Sequence, residues 1–211
     1  MLSAMTQSKQ EAAAAAINRL AERNRWPLVC DPGLKFVTPA LAHVNELWHE
    51  KQLGREMPAR RDFSLRDLKD VSPNLGFAEV VREGQTIRLR AKLVGSELDQ
   101  FIGGRLTGRY LDEIATPRFA QKWCALWMPA LENRVPTRTV GRVEYADKKF
   151  FISEAFRAPL SEDGKAVDTL MLVDYFHYVH GDVSKDPIVE KLTGELGRHR
   201  FAAPVLHTGA G

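Results

Sequence analysis

Between Thr86 and Ile114 the sequence TIRLRAKLVGSELDQFIGGRLTGRYLDEI passes from an alternating strand directly into short helical segments, and this junction most constrains what the chain can fold into. Ile87, Leu89, Ala91 and Leu93 alternate with Arg88, Arg90 and Lys92. A period of two gives a strand one buried and one solvated face. Gly95 ends the run, and Ser96 is placed to cap a helix reaching Ile102, with Glu97 and Asp99 at its positive end and Gly103 and Gly104 to stop it. A strand that runs straight into small helices predicts an α+β fold with a pocket where they cross the sheet.

The other strands follow from the same reasoning. Phe77–Arg82 is apolar, and Glu83, Gly84 and Gln85 turn it into the opening strand as a hairpin. Three further strands are expected over Thr137–Tyr145, Lys149–Ala158 and Val167–Val179. The short links Ala146–Lys148 and SEDGK make them antiparallel neighbours. The last, VDTLMLVDYFHYV, is apolar on both faces and belongs in the middle of the sheet.

Helices are marked by caps and by three- and four-residue apolar steps. Ser8 and Glu11 have capping-box spacing ahead of AAAAAINRLAERNR, whose only large apolar residues are Ile17 and Leu20. That segment reads either as a frayed solvated helix or as an arm for a dimer. Trp26–Lys35, with Pro27, Pro32 and Gly33, reads as a connector. Thr38 and Pro39 open a helix that buries Leu41, Val44, Leu47 and Trp48; Ser64 opens a short one; Thr116 and Pro117 open a third that carries Phe119, Trp123, Leu126 and Trp127 and is kinked or ended by Pro129. A helix is also expected around Ile188–Leu196, and HTGAG at the end reads as disordered or as a cloning remnant. The chain therefore divides into an N-terminal helical arm and connector (1–37), one α+β domain (38–180) and a tail (181–211).

Composition narrows the function class. The 211 residues are 44% hydrophobic and 27% charged, enough for a real core, and the net charge of +3 does not point to nucleic acid. Two cysteines, Cys30 and Cys124, make neither a disulfide framework nor a zinc motif, which fits a cytoplasmic setting. No apolar run is long enough to span a membrane. His49 and Glu50 do not begin a zinc-protease motif, because Leu53 occupies the second histidine position. GGRLTG lacks the ending of a phosphate loop and the spacing of a dinucleotide fingerprint, and no Gly-x-Ser-x-Gly elbow is present. His177 and His180 point to opposite faces of a strand, so no metal is expected. Arg55, Arg60, Arg61 and Arg66 are interleaved with Glu56, Asp62, Asp67 and Asp70, a pattern of local ion pairs rather than of a nucleic-acid surface.

Candidate binding residues remain. Phe119, Trp123 and Trp127 form an aromatic stripe that serves either core packing or ligand stacking. Glu154 is in phase with Phe150, Ile152 and Phe156, so it needs a cation, offered by Arg138, Arg142, Arg88 or Arg90. It reads either as half of a structural ion pair or as a pocket group for a polar ligand. Arg60 and Asp62 are open in the same way.

The order of elements, with Leu47 and Trp48, then Pro58, Arg60 and Asp62, then Leu93–Ser96, then Gly104, Leu106, Thr107, Gly108 and Arg109, resembles a family of bacterial stand-alone PAS-like proteins over about residues 40–180. Lys92 departs from the arginine expected there. The resemblance implies a five-stranded antiparallel sheet with small helices on one face around a ligand pocket. It further implies a regulatory sensor or adaptor that works in trans, commonly as a homodimer, through a small molecule or a signalling-protein partner. A small-molecule enzyme is the alternative, ranked below it because the sequence shows no convergent acid, base or nucleophile set. In the chain context of the GGRLTG turn, Arg105, Thr107, Arg109 and Tyr110 are expected to border the pocket and to shape or gate it, with Trp48, Pro58, Gly95, Gly104 and Gly108 as structural positions. No cofactor is named by the sequence: a flavin adduct at Cys124 lacks its motif, and haem at His177 has no further support.

Overall fold

The computed structural model describes residues 4–114, 116–143, 150–180, 185–194 and 198–201. Its strands are β1 (Leu28–Asp31), β2 (Leu75–Glu83), β3 (Thr86–Val94), β4 (Thr137–Arg142), β5 (Phe151–Leu160) and β6 (Thr169–Tyr178). They form one antiparallel sheet in the order β1-β4-β5-β6-β2-β3. The helices are α1 (Ala4–Arg23), α2 (Pro39–Lys51), α3 (Ser96–Ile102), α4 (Leu111–Ile114), α5 (Pro117–Asn133), α6 (Pro187–Thr193) and α7 (Arg198–Phe201). The fold is α+β, with the apolar β6 between β5 and β2 as its two buried faces require. Tyr145–Lys149, Leu196 and the final HTGAG lie outside the described residues.

Among the described residues the sheet has six strands, not five. The sixth, β1, lies within the segment expected as a connector, and Pro27 and Pro32 confine it to four residues. Leu28, Val29 and Cys30 are buried, and Cys30 pairs with Thr139 of β4. On the other side of β1 the side-chain amide of Asn18 takes the place of a neighbouring strand: Cys30 N–H donates to its Oδ1 at 2.9 Å and its Nδ2 donates to the Cys30 carbonyl at 2.8 Å. An open sheet edge is thereby closed. The alanine-rich face of α1 explains how the helix comes this near. Ala13, Ala14, Ile17 and Ala21 are buried on the same chain, against β1 and α5. Helix α1 is already formed at Ala4, so Ser8 is an interior residue and not a cap.

Alternation divides the side chains of the sheet between two layers. Thr139, Ser153, Ala155, Arg157, Leu172 and Asp174 face the layer made by α3, α4 and α5. Ile152, Glu154 and Phe156 face the opposite layer, where α2 packs on β5 and Val189 and Leu192 of α6 pack with Val140 and Ile152. Trp48 anchors α2 there, donating its indole N–H to the Pro159 carbonyl at 3.0 Å. Helix α5 runs past Pro129 to Asn133 rather than ending at it, and Arg134 closes it with a positive φ of 57°.

Two glycines of the opening stretch have separate reasons. A Cβ on Gly95 would stand 2.2 Å from the Ser72 carbonyl oxygen and 2.3 Å from that of Pro73, so the β3–α3 junction presses on the 3-10 turn Lys69–Asn74 as only glycine allows. Gly108 adopts φ +88° and donates its N–H to the Ala91 carbonyl at 2.7 Å. With the bridge between Arg90 and Tyr110 it lays the turn along the free edge of β3.

Candidate ligand-binding cavity

A cavity of about 130 Å³ lies between the sheet and α3–α5. Its walls are mainly apolar: Phe77 and Ala91 from the hairpin, Leu98 and Ile102 from α3, Leu106 and Leu111 around α4, and Phe119, Trp123, Leu126 and Trp127 from α5. A cavity of roughly 150 Å³ holds a benzene ring, so this one takes a body of about monocyclic size.

The aromatic stripe of α5 is part of this wall. Trp123 and Trp127 stack with ring centroids 5.9 Å apart, and with Phe119 they border the cavity because a four-residue step keeps all three on one helical face. Arg105, Thr107, Arg109 and Tyr110 do not line it. The turn that covers β3 points Leu106 and Leu111 inward, leaves Arg105 and Thr107 exposed, and lays the Tyr110 ring against the Arg88 guanidinium at 3.8 Å. Arg88 also holds Asp112 at 2.9 and 3.0 Å, which pins α4 to β3. The polar residues expected at the pocket are therefore corrected to two leucines, whose burial the Gly104–Gly108 turn arranges.

Glu154 lies on the opposite face of the sheet and is fully buried. Arg138 Nε donates to it at 2.7 Å, and the backbone N–H groups of Val37 and Thr38 donate at 2.9 and 2.8 Å. Arg138 also reaches Asp31 at 3.2 Å and the Leu192 carbonyl at 2.7 Å. One guanidinium thus ties β1, β4, β5 and α6 together, with Glu154 anchoring the entry to α2. Glu154 is a structural carboxylate here, under the 37–38 turn.

The segment around Arg60 and Asp62 is a lock of the same kind. Asp62 accepts from Arg55 at 2.5 Å and from the Ala59 N–H at 2.7 Å, while the Pro58 carbonyl accepts from Ser161 N–H at 2.9 Å. Desolvation pushes the Asp62 carboxyl up, but the hydrogen bonds from Ala59 N–H and Arg55 together with the Arg55 charge outweigh it and hold the group below its ordinary range. Arg60 lies 4.1 Å above the Phe77 ring, behind a cavity wall, and Arg61 pairs with Glu162. Of the mixed-charge run, Arg55 pairs locally with Asp62, whereas Arg60 and Arg61 reach distant parts of the chain, and Glu56 pairs with Lys9 and Arg134.

Polar groups that the sequence did not single out lie at the cavity, Lys122, Thr139, Ser153, Arg157 and Asp174, together with Arg142, which was expected as a partner of Glu154. Arg157 Nη2 donates to Asp174 Oδ1 at 2.7 Å. Their signal was in the sequence, since Arg157 falls in phase with Ser153 and Ala155, and Asp174 interrupts an otherwise apolar strand. Neither thiol is poised to react. Burial pushes Cys30 well above its ordinary range and raises Cys124 as well. Burial lowers His177, whose Nε2 is 3.4 Å from Thr38 Oγ1 on the face away from the cavity. No described helix is long and apolar enough to cross a membrane, and no three His, Cys, Asp or Glu of the described residues gather as a metal site. Compared with protein-family models and with curated proteins, the chain matches none.

Proposed function

We propose that the chain is a PAS-like regulatory sensor or adaptor that binds a small, mainly apolar molecule in the cavity under α3–α5 and passes the occupancy to a protein partner in trans. The aromatic-walled cavity against the central strands carries this reading, since small-molecule sites are apolar hollows with a few fixed polar groups. The PAS-like part is supported by the way the hairpin β2–β3 and the meander β4–β5–β6 join through β2 and β6, with short helices over one face and β1 as an added edge. Binding is favoured over catalysis because the charged pair nearest the sheet centre is internally neutralised and both thiols are held protonated. A cytoplasmic, homodimeric protein belongs to the same proposal.

Occupancy has an outlet in this fold. Phe77 is at once a cavity wall and the seat of Arg60, so a ligand that moves its ring acts on the Pro58–Asp62 segment. Native mass spectrometry and an absorbance spectrum of the purified chain test the reading. The expected result is a bound organic mass, or stabilisation by members of a panel of small apolar metabolites, together with a dimer mass. An empty, colourless chain that no compound stabilises would overturn the ligand-sensing reading, and a monomer mass the dimeric one.

A further inference from the structure

Arg157 and Asp174 form a charged pair on the two central strands, at the cavity, with the guanidinium Nε–H buried and left without an acceptor. Arg157 stands opposite Leu172 and Asp174 opposite Ala155, so the two are diagonal neighbours on the face that looks toward α5. Their side chains are only 13% and 14% exposed. The guanidinium spends Nη2 on Asp174 Oδ1 at 2.7 Å, and Nη1 on the carbonyls of Phe156 at 2.9 Å and Val173 at 3.4 Å. Arg157 Nε is buried and has no hydrogen-bond partner. A buried donor without an acceptor is costly, and a fully formed arginine–carboxylate fork would have used the Nε–H together with the adjacent Nη2–H. Among the described residues Asp174 accepts one side-chain hydrogen bond, through Oδ1, while its main-chain carbonyl is fixed by Asn74 Nδ2 at 2.9 Å. The pair therefore offers an unused donor beside a carboxylate with lone pairs to spare.

We propose that the Arg157–Asp174 pair is the polar recognition group of the cavity and that it selects a small neutral molecule with a monocyclic body and one hydroxyl. The hydroxyl oxygen accepts from Arg157 Nε–H and its proton is donated to Asp174. A hydroxyl does both through one atom, which suits an opening beside an existing ion pair. A hydrocarbon leaves Nε unmet, and a carboxylate is repelled by Asp174. The ring packs against Phe119, Trp123 and Trp127, whose faces supply the apolar contact. Lys122 and Arg142 also border the cavity, which makes a carboxylate ligand the rival to exclude.

This inference rests on the reading of the cavity as a ligand site, and the test separates the two. The dissociation constants of phenol, toluene and benzoate for the intact chain are measured by calorimetry near neutral pH. Phenol is expected to bind roughly ten- to a hundredfold more tightly than toluene, the range for a hydrogen bond to a charged group, and benzoate more weakly than phenol. Asp174→Asn is expected to reduce phenol affinity about tenfold while leaving toluene unchanged. Equal binding of phenol and toluene overturns the recognition role of the pair and leaves the cavity reading intact. Tighter binding of benzoate than of phenol overturns the neutral-hydroxyl assignment in favour of an anion site. Failure of all three to bind overturns both. The comparison of ligands on the unaltered protein decides the matter even where Asp174→Asn does not fold.

Discussion

Replacing Arg138 with leucine tests the claim that the layer opposite the cavity is held by one buried cation. The Arg138, Asp31 and Glu154 side chains are 2%, 4% and 0% exposed, so Arg138→Leu leaves two carboxylates with no counter-ion and no route to water. Breaking a buried pair by removing one partner costs about 3–5 kcal/mol. Part of the charge remains solvated by the backbone, since Asp31 accepts from the N–H groups of Gly33 and Lys35 at 2.8 Å and Glu154 from those of Val37 and Thr38. The expected loss is therefore near the lower end, about 3 kcal/mol, which in a chain of this size lowers the melting temperature by roughly 6–12 °C. Glu154→Gln should cost less, about 1–2 kcal/mol, because an amide oxygen still accepts from one of these N–H groups. The double variant should lose less than the two single losses added, since each change removes the other's unpaired charge. Urea unfolding of the three variants supplies all the numbers. An Arg138→Leu protein within about 1 kcal/mol of the parent would refute the reasoning.

Two further outcomes follow from the same structure. Gly95→Ala should destabilise by at least about 2 kcal/mol, because the new Cβ meets two main-chain oxygens that no rotamer change can move; chemical denaturation reads it, and a neutral effect would contradict the tight junction of β3 with the 3-10 turn. Stability should fall as pH drops from about 7.5 to about 5.5, because His177 and His49 are both held below their ordinary range by burial and the unfolded chain takes up the protons first. The sign is that of a group whose folded-state value is depressed: stability is full above the unfolded value and is lost as pH falls toward the folded one. Glu154 opposes this at His177 and Lys191 reinforces it, and carboxylates such as Glu56 and Asp62 act only at lower pH. His177→Gln should flatten the slope in part, with His49 carrying the rest, as urea midpoints at the two pH values would show.

Much of the fold was legible because it is written in periods. The alternation of Ile87, Leu89, Ala91 and Leu93 and the doubly apolar run of β6 located the hairpin and the centre of the sheet. Strand β1 was not legible: its four residues sit between two prolines, and its partners are β4, far along the chain, and the side chain of Asn18. A strand that short has no period to read. The cavity was half visible for a similar reason. The α5 stripe follows from helical spacing, whereas Arg105, Thr107 and Tyr110 belong to a turn in which side-chain direction depends on φ values such as that of Gly108. Glu154 announced a need for a cation, and Arg138 met it, but the face it would occupy depended on which layer covers β5. Arg157 and Asp174 were overlooked because each sits in a run dominated by apolar residues, where a lone charge is the more telling residue.

The most direct test of the account is the binding of toluene to the parent chain and to Ala155→Leu, measured by calorimetry. Ala155 is 2% exposed and borders the cavity, so a leucine there competes with a ligand for the same volume. Toluene is expected to bind the parent saturably and to lose that binding in the variant, which stays folded with a stability lowered by no more than about 3 kcal/mol. A parent chain that takes up no toluene, or a variant that binds it as well as the parent does, would contradict the assignment of this cavity as the ligand site.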